Sequence, residues 1–299
     1  MFWKAITIAG LFTTGFAMPA EAACDAMTKV IEAFNARDKT TAVTIARGDK
    51  TGCSPKDATV VGRIAALTAF NDIFAVVSKG GNLFDHEKEL LSLKTDFGGP
   101  WQIFDALGDI NRDRRNYADA GAFYQTALEN ADDTALTPDW MAPDEAYIVR
   151  LDHMATEMRL ASSTPVKLAM RGACKTKFRG VALKKKSTPV RYVFGKSDFT
   201  EDGLKAAKDL YECLKSVQPY SITLIGHTDP VGSSQANKAL SLARADALAK
   251  YLVAEGYTGQ YKTEGKGEDD PFKPDDASAY DAETLNQLNR RVEVDVNEK

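Results

Sequence analysis

Asp229, Asn237, Ser241 and Arg244 are the residues whose types and spacing carry chemistry in this sequence. Asp229 follows a short apolar run, Ile222-Thr-Leu-Ile-Gly226, in a turn that Gly226 and Gly232 allow to be tight. Pro230 biases Asp229 itself toward extended backbone. The helical pattern that follows sets Asn237, Ser241 and Arg244 four and three residues apart. They therefore share one face, with Arg244 about 10 Å along the axis from Asn237. The first turn of such a helix also points free N–H groups at the loop, which suits a carboxylate. A carboxylate and a guanidinium placed this way suit a ligand with both an ammonium and a carboxylate. They equally suit a mutual surface salt bridge, which contributes little. Asn237 at the start of a helix reads ordinarily as a cap. His227 adjoins the turn, but no nucleophile, base and orienting group assemble around it, so a structural role in the turn is expected. Glu268 reads as a loop contact and not as an acid catalyst.

The elements that must position these residues are short and alternating. Pro189–Phe194 is β-branched and aromatic and reads as a strand. Thr200 then caps a helix whose first turn, Glu201 and Asp202, complements the positive end of the dipole. Leu204, Ala207, Leu210, Tyr211 and Leu214 form its apolar stripe. A strand over Ser221–Ile225 precedes a helix from about Gln235 to Glu255, closed by Gly256. Tyr261–Glu264 reads as a third strand, and Val292–Val296 alternates cleanly as a fourth with one wet face. The Pro- and Asp-rich stretch Asp269–Asp281 reads as a surface loop. This order predicts an α+β fold, a small mixed sheet with helices on one face.

Residues 24–162 read as an all-helical domain, with 163–187 as a linker and 188–299 as the α+β domain. Val60–Val77 is apolar on more than one side and is expected to be central. Over 101–134, Leu107-Gly108, Tyr117, Ala120, Tyr124 and Ala127-Leu128 resemble one tetratricopeptide repeat. A single repeat cannot bury its faces alone, so flanking helices must complete the core. Such a stack offers a groove for a protein or peptide partner, or serves only as a structural helical domain. Lys184-Lys185-Lys186 reads as a solvated charge run, or less readily as a contact for an anionic ligand surface.

The 299 residues carry a formal net charge of -4, which argues against a nucleic-acid partner because such proteins show a basic surplus. At the N-terminus, Lys4, the apolar Ala5–Ala17 and Ala20-Glu21-Ala22 make a signal peptide, residues 1–22, cut after Ala22. The apolar run is shorter than the roughly 20 residues that span a bilayer. No other segment reads as long and apolar enough to cross, and no series of alternating strands predicts a transmembrane barrel. Glu21-Ala22-Ala23-Cys24 lacks the aliphatic residue of a lipoprotein signal. Export places Cys24, Cys53, Cys174 and Cys213 in an oxidising compartment, where Cys24–Cys53 and Cys174–Cys213 disulfides each stay within one domain. Free buried thiols are the alternative. None of the four has metal-ligand spacing, and His86, His153 and His227 are scattered, so neither a metal nor a cofactor is expected.

Gly226-His-Thr-Asp229-x-x-Gly232, Asn237-x-x-Leu240-Ser241-x-x-Arg244-Ala245, Tyr251-Leu252, Gly265-x-Gly267-Glu268-x-x-Pro271 and Asn289-Arg290-Arg291-Val292 together resemble the OmpA-like C-terminal domain family. The same family fold occurs in peptidoglycan-associated lipoproteins and flagellar motor stator proteins. The resemblance covers about residues 188–299. It implies non-covalent binding of peptidoglycan through the diaminopimelate of its stem peptide, with no catalytic residue. By position, Asp229 takes the ligand's ammonium and Arg244 its carboxylate as a bidentate pair. Asn237 and Arg290 complete the ligand contacts, and Thr228, Gly232 and Ser241 support the turn. The expectation is a periplasmic, outer-membrane-associated protein of a diderm bacterium that anchors a helical interaction domain to the wall. An envelope adaptor, in which wall binding only localises the protein, and a wall-modifying enzyme are the rival readings.

Overall fold

The structure is a computed structural model that describes residues 24–164, 175–183 and 185–297. The expected signal peptide and Cys174 lie outside the described residues. The chain divides into two compact units. One reaches to Ile110 and includes Glu129–Pro143; the other comprises Asn111–Leu128 and everything from Asp144 onward.

The first unit begins with helices α1 (Asp25–Asn35), α2 (Lys39–Arg47), α3 (Pro55–Val77) and α4 (Glu87–Phe97). Helix α5 (Trp101–Asp113) starts within it. Local capping chemistry fixes the helix starts. The Asp38 carboxylate accepts from Thr41 N, and the Ser54 hydroxyl accepts from Asp57 N with Pro55 in the first turn. Cys24 and Cys53 are joined, tying the start of α1 to the loop before α3. Helix α3 corrects one expectation. By length and composition it is apolar enough to cross a membrane, but two thirds of its most apolar window is buried inside the protein. Val61, Ile64, Ala65, Ala66 and Ala69 are all but fully buried, as a central helix requires. Its one buried cation, Arg63, donates to Thr137 Oγ1 at 3.0 Å and to the Asn130 side-chain oxygen.

The second unit takes in most of α6 (Tyr117–Asp132) and all of α7 (Glu145–Ala161), the latter capped by Asp144. A two-residue hairpin, β1 (Lys177–Phe178) and β2 (Val181–Ala182), leads to β3 (Lys185–Thr188). Then come α8 (Glu201–Val217), β4 (Ser221–His227), α9 (Ser234–Glu255), β5 (Gln260–Gly267), α10 (Ala282–Asn289) and β6 (Val292–Asn297). The four-stranded sheet has the order β3-β6-β4-β5. Strands β4 and β5 are parallel, whereas β6 is antiparallel to both β4 and β3. Leu210 and Leu214 of α8, with Leu248 and Leu252 of α9, pack with Ile222, Leu224, Val292, Val294 and Val296 of the sheet. The α+β architecture is therefore as expected.

Three local expectations are corrected. The first strand of the sheet is Lys185–Thr188 and not Pro189–Phe194, whose only ladder contact among the described residues is a single bridge from Tyr192 to Phe199. The lysine run is accordingly not wholly solvated: Lys186 is buried and its Nζ lies 2.6 Å from Asp152 Oδ1 on α7. Helix α10 falls between the expected loop and the last strand, where no element was expected. Its start is marked by Asp281, whose carboxylate accepts from Thr284 N at 2.8 Å.

Candidate ligand-binding site

The site is built where β4 ends. Strand β4 and helix α9 approach so closely at Gly226 that an added Cβ would lie 2.1 Å from the Ser241 carbonyl oxygen. That contact sets Ser241 beneath the turn, where its hydroxyl accepts from Gly267 N at 2.9 Å and donates to Lys238 O. Thr228 N in turn donates to Gly267 O at 2.9 Å, and His227 N to Arg291 O at 2.9 Å. The ends of β4, β5 and β6 are thus laced together just before Asp229. Gly232 follows with φ 113°, which an L side chain rarely adopts, and lets the chain swing back into α9. The cap of α9 is Ser233, whose hydroxyl accepts from Ala236 N. Asn237 therefore lies one turn inside the helix, and its expected capping role is corrected. Its amide instead donates to Asp229 O at 3.3 Å and to the Glu268 carboxylate.

Asp229 and Arg244 do not pair with one another. Asp229 is 8% exposed; its Oδ1 accepts from Val231 N at 3.1 Å and its Oδ2 from Arg290 Nη1 at 2.8 Å. Arg290 also binds the Glu283 carboxylate on α10. Arg244 is 7% exposed and has no carboxylate within ion-pair distance among the described residues. Its Nε donates to Lys196 O at 3.1 Å, and its guanidinium lies 5.2 Å from the centroid of the Tyr192 ring. The Tyr192 hydroxyl closes the unit by donating to Arg244 O at 2.8 Å. Burial pulls the Arg244 pKa below its ordinary value, with Tyr192 and Asp229 opposing and Arg290 adding to the drop. An arginine in such a setting stays cationic. Burial likewise raises the Tyr192 phenol, keeping it a hydrogen-bond donor.

A cavity of about 340 Å³ opens on this constellation. Arg191, Arg244, Arg290 and Arg291 line it, with Tyr192, Phe194 and His227 among the rest of its wall. Phe194 is 88% exposed, so its ring stands at the rim. His227 forms part of the wall and is 1% exposed; neither ring nitrogen has a hydrogen-bond partner among the described residues. Its Nε2 lies 3.6 Å from Glu293 Oε2, beyond hydrogen-bond reach. Burial alone would raise the Glu293 carboxyl, but His227 and the Arg291 guanidinium outweigh it and hold the pKa down to about 2. Arg291 Nε and Nη2 both reach Glu293 Oε1, at 3.0 and 2.8 Å.

The structure thus brings Asp229, Asn237 and Arg290 into one hydrogen-bonded set. Arg244 and Arg290 share the cavity wall, and Thr228, Gly232 and Ser241 shape the turn behind. Thr228 Oγ1 is buried without a partner among the described residues. Arg191, Tyr192 and Phe194 were not read as site residues, because their stretch looked like a plain strand. The Arg-Tyr-x-Phe clustering of cation and ring was the available signal. Chemically the cavity, with four arginines in its wall, is an anion seat, and the buried Asp229 carboxylate is tied to it through Arg290. It suits a small ligand carrying at least one carboxylate.

Residues 191–284 match the OmpA family. Among curated proteins, Outer membrane protein A of Serratia odorifera is 37% identical over 110 residues, covering 34% of this chain and 45% of that protein. Outer membrane porin F of Pseudomonas aeruginosa is 36% identical over 109 residues, covering 36% of this chain and 30% of that one. The chain spans less than half the length of these curated relatives. Among solved structures, the cell wall anchor of the T6SS from Pseudomonas aeruginosa is 23% identical, covering 40% of this chain and 85% of that chain, at a TM-score of 0.32. The peptidoglycan-associated lipoprotein from Burkholderia pseudomallei is 27% identical, covering 38% of this chain and 91% of that chain, at a TM-score of 0.30. The chain therefore carries, over residues 191–284, a domain of the OmpA family.

Proposed function

We propose that this domain binds peptidoglycan non-covalently, taking the diaminopimelate residue of a stem peptide into the cavity beside Asp229. The observation that carries the reading is that Asp229 and Arg244 are both buried, lie near enough to feel each other's charge, and do not pair with each other. Arg244 has its Nε committed to Lys196 O and its guanidinium set over the Tyr192 ring, which fixes the guanidinium so that its remaining edge can take a carboxylate in a bidentate pair. Asp229 already holds Arg290, so a ligand ammonium joins a shared carboxylate and does not meet a free one. Asn237 stands beside it, held by Asp229 O and Glu268, and supplies a polar contact for the peptide. A zwitterionic side-chain end needs both charges at a fixed separation, which an ordinary lysine or a plain carboxylate does not offer.

In this reading the protein is exported to the periplasm of a diderm bacterium, associates with the outer-membrane side of the envelope, and carries its helical part as an interaction module. It acts as an anchor and not as an enzyme. Pull-down of the full chain by isolated sacculi tests it. Asp229→Ala and Arg244→Ala are each expected to abolish retention, and retention of Asp229→Ala at the wild-type level would sink the site assignment.

A further inference from the structure

Helix α7 precedes the OmpA-family match, yet its last two turns are wired into the loop that frames the site. The wiring runs through Glu157, a carboxylate 1% exposed. Its Oε2 accepts from Asp275 N at 2.8 Å and lies 3.2 Å from His153 Nε2. Its Oε1 accepts from the Tyr280 hydroxyl at 2.6 Å. The Tyr280 ring lies 5.7 Å from that of Tyr117, and His153 stacks at 5.4 Å on Phe272. One buried carboxylate therefore clasps the 268–281 loop at Asp275 and again at Tyr280.

Each end of that loop holds a site residue. At its start Glu268 binds the Asn237 amide, and just past its far end, in the first turn of α10, Glu283 binds Arg290. In between, Arg291 donates to Asp270 O at 3.1 Å, and Asn289 Oδ1 accepts from Phe272 N at 2.8 Å. The end of α7 then reaches the cavity itself. Leu160 lines it, and the Gln287 amide of α10 donates to Leu160 O at 2.7 Å and Ser162 O at 3.0 Å. Leu160, Ala161 and Leu288 form a small apolar cluster underneath. Buried carboxylates without hydrogen bonds are costly, so Glu157 persists at this depth only while the loop supplies its donors.

We propose that Glu157 is a positioning residue of the ligand site. It acts through the 268–281 loop to hold Asn237 and Arg290 in place, which makes α7 an integral part of the binding unit. The inference rests on the peptidoglycan reading for its ligand. It also has a thermodynamic corollary: ligand bound at Asp229 and Arg290 tightens the loop on α7, because coupling between two sites is reciprocal.

The test uses the full chain, isolated sacculi as probe, and amide hydrogen exchange as a second readout. Glu157→Ala is expected to bind sacculi about tenfold more weakly, the loss that follows from removing hydrogen bonds to a charged group. Exchange over 268–281 should accelerate at the same time. Glu157→Gln keeps one acceptor oxygen and should fall between. Tyr280→Phe removes a single donor, leaves the ring on Tyr117, and serves should Glu157→Ala fail to fold. The proposal is overturned if Glu157→Ala or Tyr280→Phe binds as the wild type does while Asp229→Ala does not. If the wild type itself fails to bind, or Asp229→Ala binds equally well, the peptidoglycan reading falls and this inference falls with it.

Discussion

Arg290 Nη1 lies 2.8 Å from Asp229 Oδ2, across 61 residues of chain. The carboxylate at the heart of the turn is thus balanced from the last helix–strand junction and not from the helix that follows it. The consequence is measurable. Arg290→Ala leaves Asp229 nearly buried with one backbone donor, a loss of about 1–3 kcal/mol. Denaturant unfolding of Arg290→Ala, Asp229→Asn and the double variant should show strong non-additivity, since the two residues share one interaction. Additive losses would mean that the two residues have no coupling energy.

Arg244→Lys keeps the charge but has no Nε to donate to Lys196 O and no plane to lay on Tyr192. Retention on sacculi should weaken by about tenfold, because an ammonium cannot reproduce a bidentate carboxylate contact. Titration of the variant with soluble stem peptide gives the number, and an unchanged affinity would argue that Arg244 acts as a point charge.

Glu293 gives the domain a pH signature. Its folded pKa is lowered from 4.5 to about 2, against burial, by His227 and Arg291. The sign follows directly. Its stabilising contribution is fully present above the unfolded value and is lost as pH falls through the folded one. Melting temperature should therefore drop between about pH 5 and pH 2, and Glu293→Gln should flatten that limb relative to the wild type. Parallel curves for the two proteins would remove Glu293 from the account.

Gly226→Ala tests the approach of β4 to α9. Its Cβ would meet the Ser241 carbonyl oxygen at 2.1 Å, and backbone on both sides must shift to relieve it. The expected cost is about 1–3 kcal/mol, as for an overpacked core. Sacculus binding should fall with it, since Ser241 and Asp229 would move apart.

Much of the site was legible where the chemistry is local. The four-and-three spacing of Asn237, Ser241 and Arg244 places them on one face, and all three are buried along α9 toward the turn. Gly256, expected to close that helix, has φ 110° in the left-handed region. What was hidden depends on partners distant in sequence. Nothing around Lys186 announces Asp152, so a lysine in a run of three looks like surface. Asp269–Asp281 looks like an exposed loop by composition, and only the carboxylate of Glu157, 118 residues from Asp275, shows what holds it. Pro189–Phe194 has the residues of a strand. The ladder nevertheless runs over the residues before it, where Lys185–Thr188 pair in register with Val292–Asp295. Helix α10 was the one avoidable miss, because Asp281-x-x-Thr284 is a capping pattern in plain sight.

Strand β5 lies at one border of the sheet, paired to β4 alone in the order β3-β6-β4-β5. Such a border is a template for another chain unless something guards it. Here Lys262 and Lys266 flank Glu264 along the strand, at 2.8 and 3.8 Å, keeping charge spread over its length. The irregularity at Gly226/His227 breaks the parallel register at the end of the β4–β5 pairing. A border guarded in this way discourages the sheets of two copies from zipping together.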